Sequence, residues 1–367
     1  MKLLIAVMLL LPAICRAQAP DAAESIGSSR NARVAYPMPA EPGERAKVKL
    51  VFLAGEIPEE QRAEMQRLAP NVRLIDGLTR ETALEYAAEA NAVDARVLSP
   101  ALLERAKGLI WVQALSAGVD RLVSMRGVSG NERLVLTNMR AVHGPAIADH
   151  AMAMLLTLTR GMRPLGAAQT EGKWVRDTPG PRPIALQGKT MLVVGIGGIG
   201  TEIAKRAHGF GMRVIATRRT DAPAPEFVEK VGKPGDLLKM LPDADVVAIC
   251  VPLTPETEHL FGKDALAALK QGAYLINIAR GKIVDTDELM AALKSGRLAG
   301  ACLDVTDPEP LPQGHPLWKM DNVVITPHVA ADAEVTDERM WVLLRENVRR
   351  FGAGEPLLNT VDLKAGY

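Results

Sequence analysis

The chain has 367 residues with 44 basic and 43 acidic side chains, a formal net charge of +1 that leaves no basic footprint for a nucleic-acid partner. Hydrophobic residues make up 48%, charged residues 24% and aromatic residues 4%, the composition of a soluble, globular α/β protein with room for two domains. Beyond the N-terminal run described next, no apolar stretch reaches transmembrane length, so no stable membrane span is expected.

The chain begins MKLLIAVMLLLPAICRAQA. Lys2 is a short positive region, Leu3 to Ile14 an apolar run of 12, and Cys15 and Ala17 small residues placed for cleavage before Gln18. This is the anatomy of a secretory signal peptide over residues 1–17, which predicts a periplasmic or secreted protein. The alternatives are a buried N-terminal helix or a misplaced start, leaving a cytoplasmic chain. Ile14, bulky and directly before Cys15, argues against a lipoprotein. Cleavage would remove Lys2 and Arg16, leaving 42 basic against 43 acidic residues, a net charge of −1. Residues 18–45 are rich in Ala, Pro, Ser and Gly and read as a disordered tether. Of the three cysteines, Cys15 leaves with the signal, and Cys250 and Cys302 lie in apolar strand-like runs as buried reduced thiols.

Order is predicted from "KVKLVFLAG", an alternating strand ending in Gly55. The helix "PEEQRAEMQRLAP", the strand "VRLIDG", a helix leading to a strand in "YAAEANAVDARVLSP", the helix "ALLERAKG" and the strand and loop "LIWVQALSAGVD" follow. Strands alternating with helices imply parallel sheets. "GPAIADHAMAMLLTLTRGM" is apolar on most faces and predicts a buried helix joining two domains. A second series then runs through "MLVVG", "RVIATR", "ADVVAICV", "AYLINIAR", "GACLDV" and "NVVITPH". A last helix from about Glu334 is expected to pack back on the first domain. That domain is then discontinuous, residues 46–145 with 334–367, and residues 146–333 form the second.

Three segments carry chemistry. In "LVVGIGGIGTEIAKRAHGFGMRVIATRR", a strand runs into Gly195, Gly197 and Gly200 and a helix follows. The first glycine allows the turn, the second close approach of a pyrophosphate, and the third tight helix–strand packing. The helix N-terminus adds free N–H groups and a positive dipole end. An NAD enzyme places a carboxylate about 20 residues further on to bind the ribose. Here Arg218, 18 residues after Gly200, and Arg219 stand in its place. A guanidinium pairs with the extra phosphate of NADP, which a carboxylate would repel, so the stretch predicts NADP (NADPH) as preferred, with NAD possible. The alternative is two solvated surface arginines. Asp221 is a competing ribose ligand placed late in the loop. In "INIARGKIVDTDEL", Arg280 ends a strand, well placed for an anionic substrate or else for a structural salt bridge. "LDVTDPEPLP" brings Asp304, Asp307 and Glu309, and "VVITPHVAAD" brings His328. A carboxylate beside a histidine would orient the imidazole and favour its charged form.

In this order, "SAGVD", "VHGPAIADH", "GIGGIG", "VPLTPET", "NIARG", "DVTDPEPLP", "HPLW" and "TPHVA" resemble the D-isomer-specific 2-hydroxyacid dehydrogenases, from about residue 46 to the end. The resemblance implies two Rossmann-like α/β domains with parallel sheets and a cleft between them, the first the substrate (catalytic) domain and the second the dinucleotide-binding domain, in a homodimer. It implies a catalytic Arg, Glu and His, matched by Arg280, Glu309 and His328. His328 would protonate a carbonyl oxygen, Glu309 hold His328, and Arg280 bind the carboxylate of a 2-oxo acid. Backbone N–H groups of Ala117, Gly118 and Val119 match a second carboxylate clamp. Asp304 matches the partner of the nicotinamide amide, and Val251, Pro252 and Leu253 match a cofactor-lining loop, with Thr257 a weaker match. Ile199, Ile278, Ala279 and His328 complete the cofactor-binding set. No metal is expected: His143, Asp149 and His150 fall in the segment matching the domain-joining helix. Glu309 argues against a formate dehydrogenase, and the absence of a regulatory domain after residue 367 against the long phosphoglycerate dehydrogenases. The paired arginines fit glyoxylate and hydroxypyruvate reductases, whose members often prefer NADPH. The alternatives are an NADH-dependent dehydrogenase of another 2-hydroxy acid, or an exported binding module that reuses the fold. The signal peptide is the misfit, because an exported dehydrogenase needs a supply of cofactor.

Overall fold

The computed structural model describes Glu44, residues 47–176 and residues 182–366. The expected signal peptide, and the tether apart from Glu44, lie outside the described residues. Five short strands, β1 (Leu50–Leu53), β2 (Val72–Ile75), β3 (Ala92–Asp94), β4 (Trp111–Gln113) and β5 (Val135–Thr137), form one sheet in the order β2-β1-β3-β4-β5. Every pairing within it is parallel. Seven more, β6 (Thr190–Val194), β7 (Arg213–Thr217), β8 (Lys230–Gly232), β9 (Val246–Ile249), β10 (Ala273–Asn277), β11 (Leu298–Leu303) and β12 (Val323–Ile325), form a second all-parallel sheet. Its order is β12-β11-β10-β9-β6-β7-β8. Both sheets have the α/β character expected from the alternation of strand and helix.

The helices are α1 (Glu59–Leu68), α2 (Pro100–Arg105), α3 (Asp120–Val123), α4 (Gly144–Thr159), α5 (Met162–Thr170), α6 (Gly198–Gly209), α7 (Leu237–Met240), α8 (Lys263–Ala268), α9 (Thr286–Lys294) and α10 (Glu334–Ala353). Local signals set several of their ends. Ser99 accepts the Leu102 N–H ahead of Pro100, and Asp285 accepts the N–H groups of Asp287 and Glu288. Helix α4 buries residues on most of its faces, as its apolar run requires.

Four elements differ from expectation. The helix expected before β3 is a pair of 3₁₀ turns, Thr82–Glu85 and Ala87–Glu89. β5 and β8, three residues each, are not among the expected strands. Helix α5 buries none of its residues, so it carries no apolar stripe to read.

The chain divides into two compact units. The first holds the described residues up to Leu115 together with Met125–Met139 and Glu338–Asp362. The second holds Ser116–Ser124, Arg140–Asp337 and the described residues from Leu363 on. Residues 116–124, which precede residue 145, group with the second unit, where Asp120 pairs with Arg280.

The first unit packs around large rings. Trp111 stacks on Phe52 with centroids 5.2 Å apart and meets Phe351 of α10 at 5.0 Å. Its Nε1 donates to Thr137 Oγ1 (2.8 Å), which donates to Gln113 Oε1 (2.9 Å), and Asn347 Nδ2 donates to the same oxygen (3.1 Å). The last described stretch runs antiparallel beside β5: Thr137 bridges Thr360, and Val361 N donates to Leu136 O (2.8 Å). The second unit packs aliphatic side chains on both faces of its sheet, Leu192, Val247, Leu275 and Leu303 on one and Val193, Ala248, Ile276 and Cys302 on the other. Near-continuous apolar strands are what a parallel sheet covered on both faces demands.

Candidate active site

In the second sheet the chain runs from β6 outward to β7 and β8, then returns to place β9 on the other side of β6. That reversal opens a crevice at the carboxyl ends of β6 and β9, the usual ligand position in open parallel sheets. The glycine motif lies there. Gly195 has φ +96°, and a Cβ on it would stand 2.8 Å from Val251 Cγ1 and 3.0 Å from the Cys250 carbonyl. A Cβ on Gly200 would stand 2.3 Å from Gly195 O. By contrast, a Cβ on Gly197, which precedes the first residue of α6, would meet nothing within 4 Å. Two glycines are therefore demanded by packing, and the third leaves open space at a helix N-terminus. That arrangement fits a dinucleotide's pyrophosphate. Ile199 is half-buried against the core. Gly198 lies outside the sequence motif but is equally constrained, because its Cβ would stand 2.7 Å from Ala141 Cβ.

β7 ends beside the two arginines. Arg218 turns back on its own loop: Nε donates to Thr220 O (3.1 Å), Nη1 to Pro223 O (3.3 Å) and Nη2 to Ala222 O. It thus orders the loop in which Arg219 is exposed. Sequence reasoning missed a third cation. Lys233 follows β8, which pairs with β7, and its Nζ donates to Arg219 O (3.3 Å) and pairs with Asp221. Asp221, the competing ribose ligand, is thereby held by a lysine, which keeps its carboxyl below the usual range through that hydrogen bond. The only sequence signal for Lys233 was its place after a strand too short to recognise.

The loop after β9, expected from the resemblance to line a cofactor, is held by the core and by its own hydrogen bonds. Val251 and Leu253 pack against the core, and Thr257 Oγ1 donates to Pro252 O (2.7 Å) while accepting from Thr254 N (2.8 Å). Thr257 therefore holds this loop closed on itself. Ile278 is buried in the core and Ala279 half-buried. Asn277 fixes the turn that follows, accepting from Ala279 N (3.1 Å) and donating to Arg280 O (2.9 Å).

Arg280 leaves that turn with its side chain about a quarter exposed. Nη1 donates to Ala279 O (2.7 Å), while Nε (3.1 Å) and Nη2 (3.0 Å) both meet Asp120 Oδ1. Asp120 opens α3, directly after the expected clamp of Ala117, Gly118 and Val119. Gly118 is pressed on the guanidinium so closely that a Cβ would lie 1.6 Å from Nη2. Gly281 has a parallel reason to be glycine, since its Cβ would lie 2.0 Å from Thr306 O. Close contact of the loops after β10 and β11 follows from that missing side chain.

His328 Nδ1 lies 2.8 Å from Glu309 Oε1, and both side chains are partly exposed. The two expected partners are thus in contact, while among the described residues Arg280's hydrogen bonds go elsewhere. His328 has φ +57°, a left-handed conformation that costs a β-carbon-bearing residue energy. Asp304, almost fully buried, holds that turn. Its carboxylate accepts from Thr326 Oγ1 (2.7 Å), Val329 N (3.0 Å) and Ala330 N (3.1 Å), and its carbonyl accepts from His328 N (2.8 Å). Asp304, matched above to the nicotinamide amide, is also the anchor of the histidine turn. His150 Nε2 reaches the same network through Thr326 Oγ1 (2.9 Å).

The remaining polar candidates disperse. Asp149 pairs with Arg206 at 2.5 Å, and His143 is buried before α4. Among the described residues, no group of three His, Cys, Asp or Glu side chains could hold a metal ion. Cys250 and Cys302 are free thiols, and burial pushes Cys250 up to about 12 and Cys302 further, so neither is a thiolate near neutral pH. No helix of the described residues is long and apolar enough to cross a membrane.

Residues 152–330 match the family model described as D-isomer specific 2-hydroxyacid dehydrogenase, NAD binding domain. A glyoxylate reductase of Thermococcus litoralis is 37% identical over 271 residues, 71% of this chain and 79% of that protein. A D-isomer specific 2-hydroxyacid dehydrogenase from Xanthobacter autotrophicus Py2, solved with NADPH and MES, superposes with a TM-score of 0.74 at 30% identity, covering 87% of this chain and 100% of that one. An NADPH-dependent glyoxylate/hydroxypyruvate reductase from Sinorhizobium meliloti, solved with NADP and sulfate, gives 0.72 at 28% identity, with 87% and 100% covered. Together with the parallel sheets and the glycine loop, these likenesses make the chain a member of the D-isomer specific 2-hydroxyacid dehydrogenase family, NAD(P)-dependent oxidoreductases that act on CH–OH donors.

Proposed function

We propose that the protein reduces a small 2-oxo acid, glyoxylate or hydroxypyruvate, to the D-2-hydroxy acid, with NADPH preferred and NAD(H) possible. The observation that carries this reading is the 2.8 Å hydrogen bond between His328 and Glu309. Glu309 accepts at Nδ1 and so fixes the ring, leaving Nε2 to deliver a proton to the substrate's carbonyl oxygen. Arg280 binds the substrate carboxylate and polarises the carbonyl, and the backbone of Ala117, Gly118 and Val119 supplies a second clamp. Asp304 holds the His328 turn and bonds the nicotinamide amide.

Gly195, Gly197, Ile199, Gly200 and the N-terminus of α6 hold the pyrophosphate; Val251, Pro252, Leu253, Thr257, Ile278 and Ala279 line the rest. When bound, the reduced nicotinamide supplies the hydride. Arg218, Arg219 and Lys233 gather positive charge where the adenosine ribose lies, which supports the NADPH preference. In this reading residues 46–145 with 334–367, most of which make up the first unit, are the substrate domain, and the protein is a homodimer. We propose further that the chain is exported and cleaved before Gln18.

The test follows absorbance of NADPH and NADH with glyoxylate, hydroxypyruvate and pyruvate. The expected result is faster NADPH oxidation with the first two, and loss of that advantage in Arg218→Asp. A preference for NADH overturns the cofactor assignment; no turnover with any 2-oxo acid overturns the reaction. For export, N-terminal sequencing of protein from fractionated cells should give a start at Gln18 outside the cytoplasm, and an intact cytoplasmic Met1 start refutes it.

A further inference from the structure

We infer that His150 and Thr326 are positioning residues for His328: they form a hydrogen-bonded chain, starting on helix α4, that fixes the carboxylate of Asp304 and through it the turn that presents the imidazole. The inference rests on His328 as the proton donor, proposed above. His150 Nε2 lies 3.8 Å from Asp304 Oδ1, beyond hydrogen-bond reach. The Thr326 hydroxyl bridges the two, 2.9 Å from the imidazole nitrogen and 2.7 Å from the carboxylate oxygen. A hydroxyl has one proton to give. His150 Nε2, Asp304 Oδ1 and Met154 Sδ at 3.6 Å compete for it. Both Asp304 oxygens already accept backbone N–H groups, Val329 on Oδ1 and Ala330 on Oδ2. The carboxylate is the strongest acceptor of the three, so the Thr326 proton goes there, and Thr326 Oγ1 accepts from His150 Nε2–H. The chain of contacts thus assigns a proton to Nε2 of His150.

The backbone of the turn shows why such a chain is needed. His328 stands at φ +57°, a conformation kept only where the surroundings over-determine it. Asp304 collects three consecutive N–H groups there: His328 N on its carbonyl (2.8 Å), and Val329 N (3.0 Å) and Ala330 N (3.1 Å) on its carboxylate. The turn is therefore only as fixed as that carboxylate, which can rotate about the Cβ–Cγ bond unless a further group holds it. The parallel pairing of β11 with β12 ends at Leu303 and Ile325, so Asp304 and Thr326 leave the sheet side by side. Thr326 ties Oδ1 down, and His150 in turn fixes the direction of the Thr326 hydroxyl. His150 sits on α4, a helix of 16 residues buried on most of its faces. The reference point for His328 is thus a core helix and not a loop.

The test uses the full chain and four variants. Thr326→Val keeps the shape and removes the hydroxyl; Thr326→Ser restores it. His150→Leu removes the donor; His150→Gln offers an amide N–H in its place. Hydrogen exchange of the free protein, read by mass spectrometry on peptides covering residues 326–331, should speed about tenfold in Thr326→Val and His150→Leu, the effect of one lost hydrogen bond to a carboxylate. Peptides covering β10 should not change. With NADPH and whichever of glyoxylate, hydroxypyruvate and pyruvate reacts fastest, kcat should fall about tenfold while KM moves less than about twofold, because the carboxylate-binding groups are untouched. Thr326→Ser and His150→Gln should recover most of both losses. Faster exchange throughout the chain, or kcat and KM damaged alike, would show a general structural role and overturn the inference. Unchanged exchange would overturn it too, as would faster exchange at full kcat. If the wild-type protein reduces no 2-oxo acid, the proposed reaction fails, and the exchange result, with its recovery by the two conservative variants, decides by itself whether His150 and Thr326 hold the turn.

Discussion

The five-stranded sheet packs around three large rings and a buried amide network, whereas the seven-stranded sheet packs aliphatic side chains and meets its tightest contacts with glycine. Phe52, Trp111 and Phe351 fill the first unit with volume. In the second, Gly118, Gly195, Gly198, Gly200 and Gly281 each stand where a Cβ would meet a neighbour at 2.8 Å or less. Every side chain to which chemistry is assigned belongs to the second unit. Stability and chemistry therefore draw on different resources here: bulk in one unit, and the absence of side chains in the other.

Substitutions can separate these two resources. Trp111→Ala should have the largest effect, about 3–5 kcal/mol of stability lost to the cavity left behind, with NADP⁺ affinity retained at temperatures where the variant is folded. Thermal melting paired with cofactor titration measures both, and equal damage to each would erase the division. Arg280→Ala should invert the pattern, lowering kcat/KM by about 10²–10³-fold through lost binding and polarisation while melting within a degree or two of wild type. Gly281→Ala should affect stability and activity together. Its methyl meets the Thr306 backbone, so the loops after β10 and β11 must separate, costing about 1–3 kcal/mol. Activity should fall with it, because Arg280 precedes that glycine and Thr306 lies between Asp304 and Glu309. Retained activity would show that the loops move independently.

The smallest effect concerns acid. Glu355 of the first unit hydrogen-bonds Arg349, which holds its carboxyl below the ordinary value of 4.5. A lowered folded value means that this contribution is complete above pH 4.5 and is lost as the pH falls through the lowered value. Glu355→Gln should therefore melt slightly below wild type at neutral pH, by less than about 1 kcal/mol because the pair is partly exposed, and the two should converge in acid. A constant difference across pH would remove the ion pair as the cause.

Much of this arrangement was readable in the chain. The strands of the second sheet and the glycine turn rest on local runs and spacing, which a sequence displays directly, whereas Glu309 was singled out as the partner of His328 by the family resemblance. What stayed hidden depends on partners far away in the chain. Gly198 is glycine because of Ala141, Gly118 because of Arg280, and Gly281 because of Thr306. No local pattern marks such approaches. Asp120 sits in a motif quoted for its backbone, and its role exists only once Arg280, 160 residues away, is brought beside it. Lys233 was hidden by the three-residue strand before it. Arg218 was anticipated as a phosphate reader, but its hydrogen bonds to the carbonyls of residues 220, 222 and 223 make it also the organiser of its loop.

The antiparallel stretch beside β5 bears on solubility. An outermost strand with unpaired N–H and C=O groups is a template for another chain. Here Thr137 is bridged by Thr360, Leu136 O is taken by Val361 N, and Asn138 N donates to Asn359 O. The seal comes from residues made more than two hundred positions after the strand it covers. During synthesis the edge at Val135–Thr137 therefore lies open until residues 359–361 have left the ribosome, and a chain shortened before Asn359 would carry that open edge for its whole life, prone to add a neighbour's strand in place of its own tail.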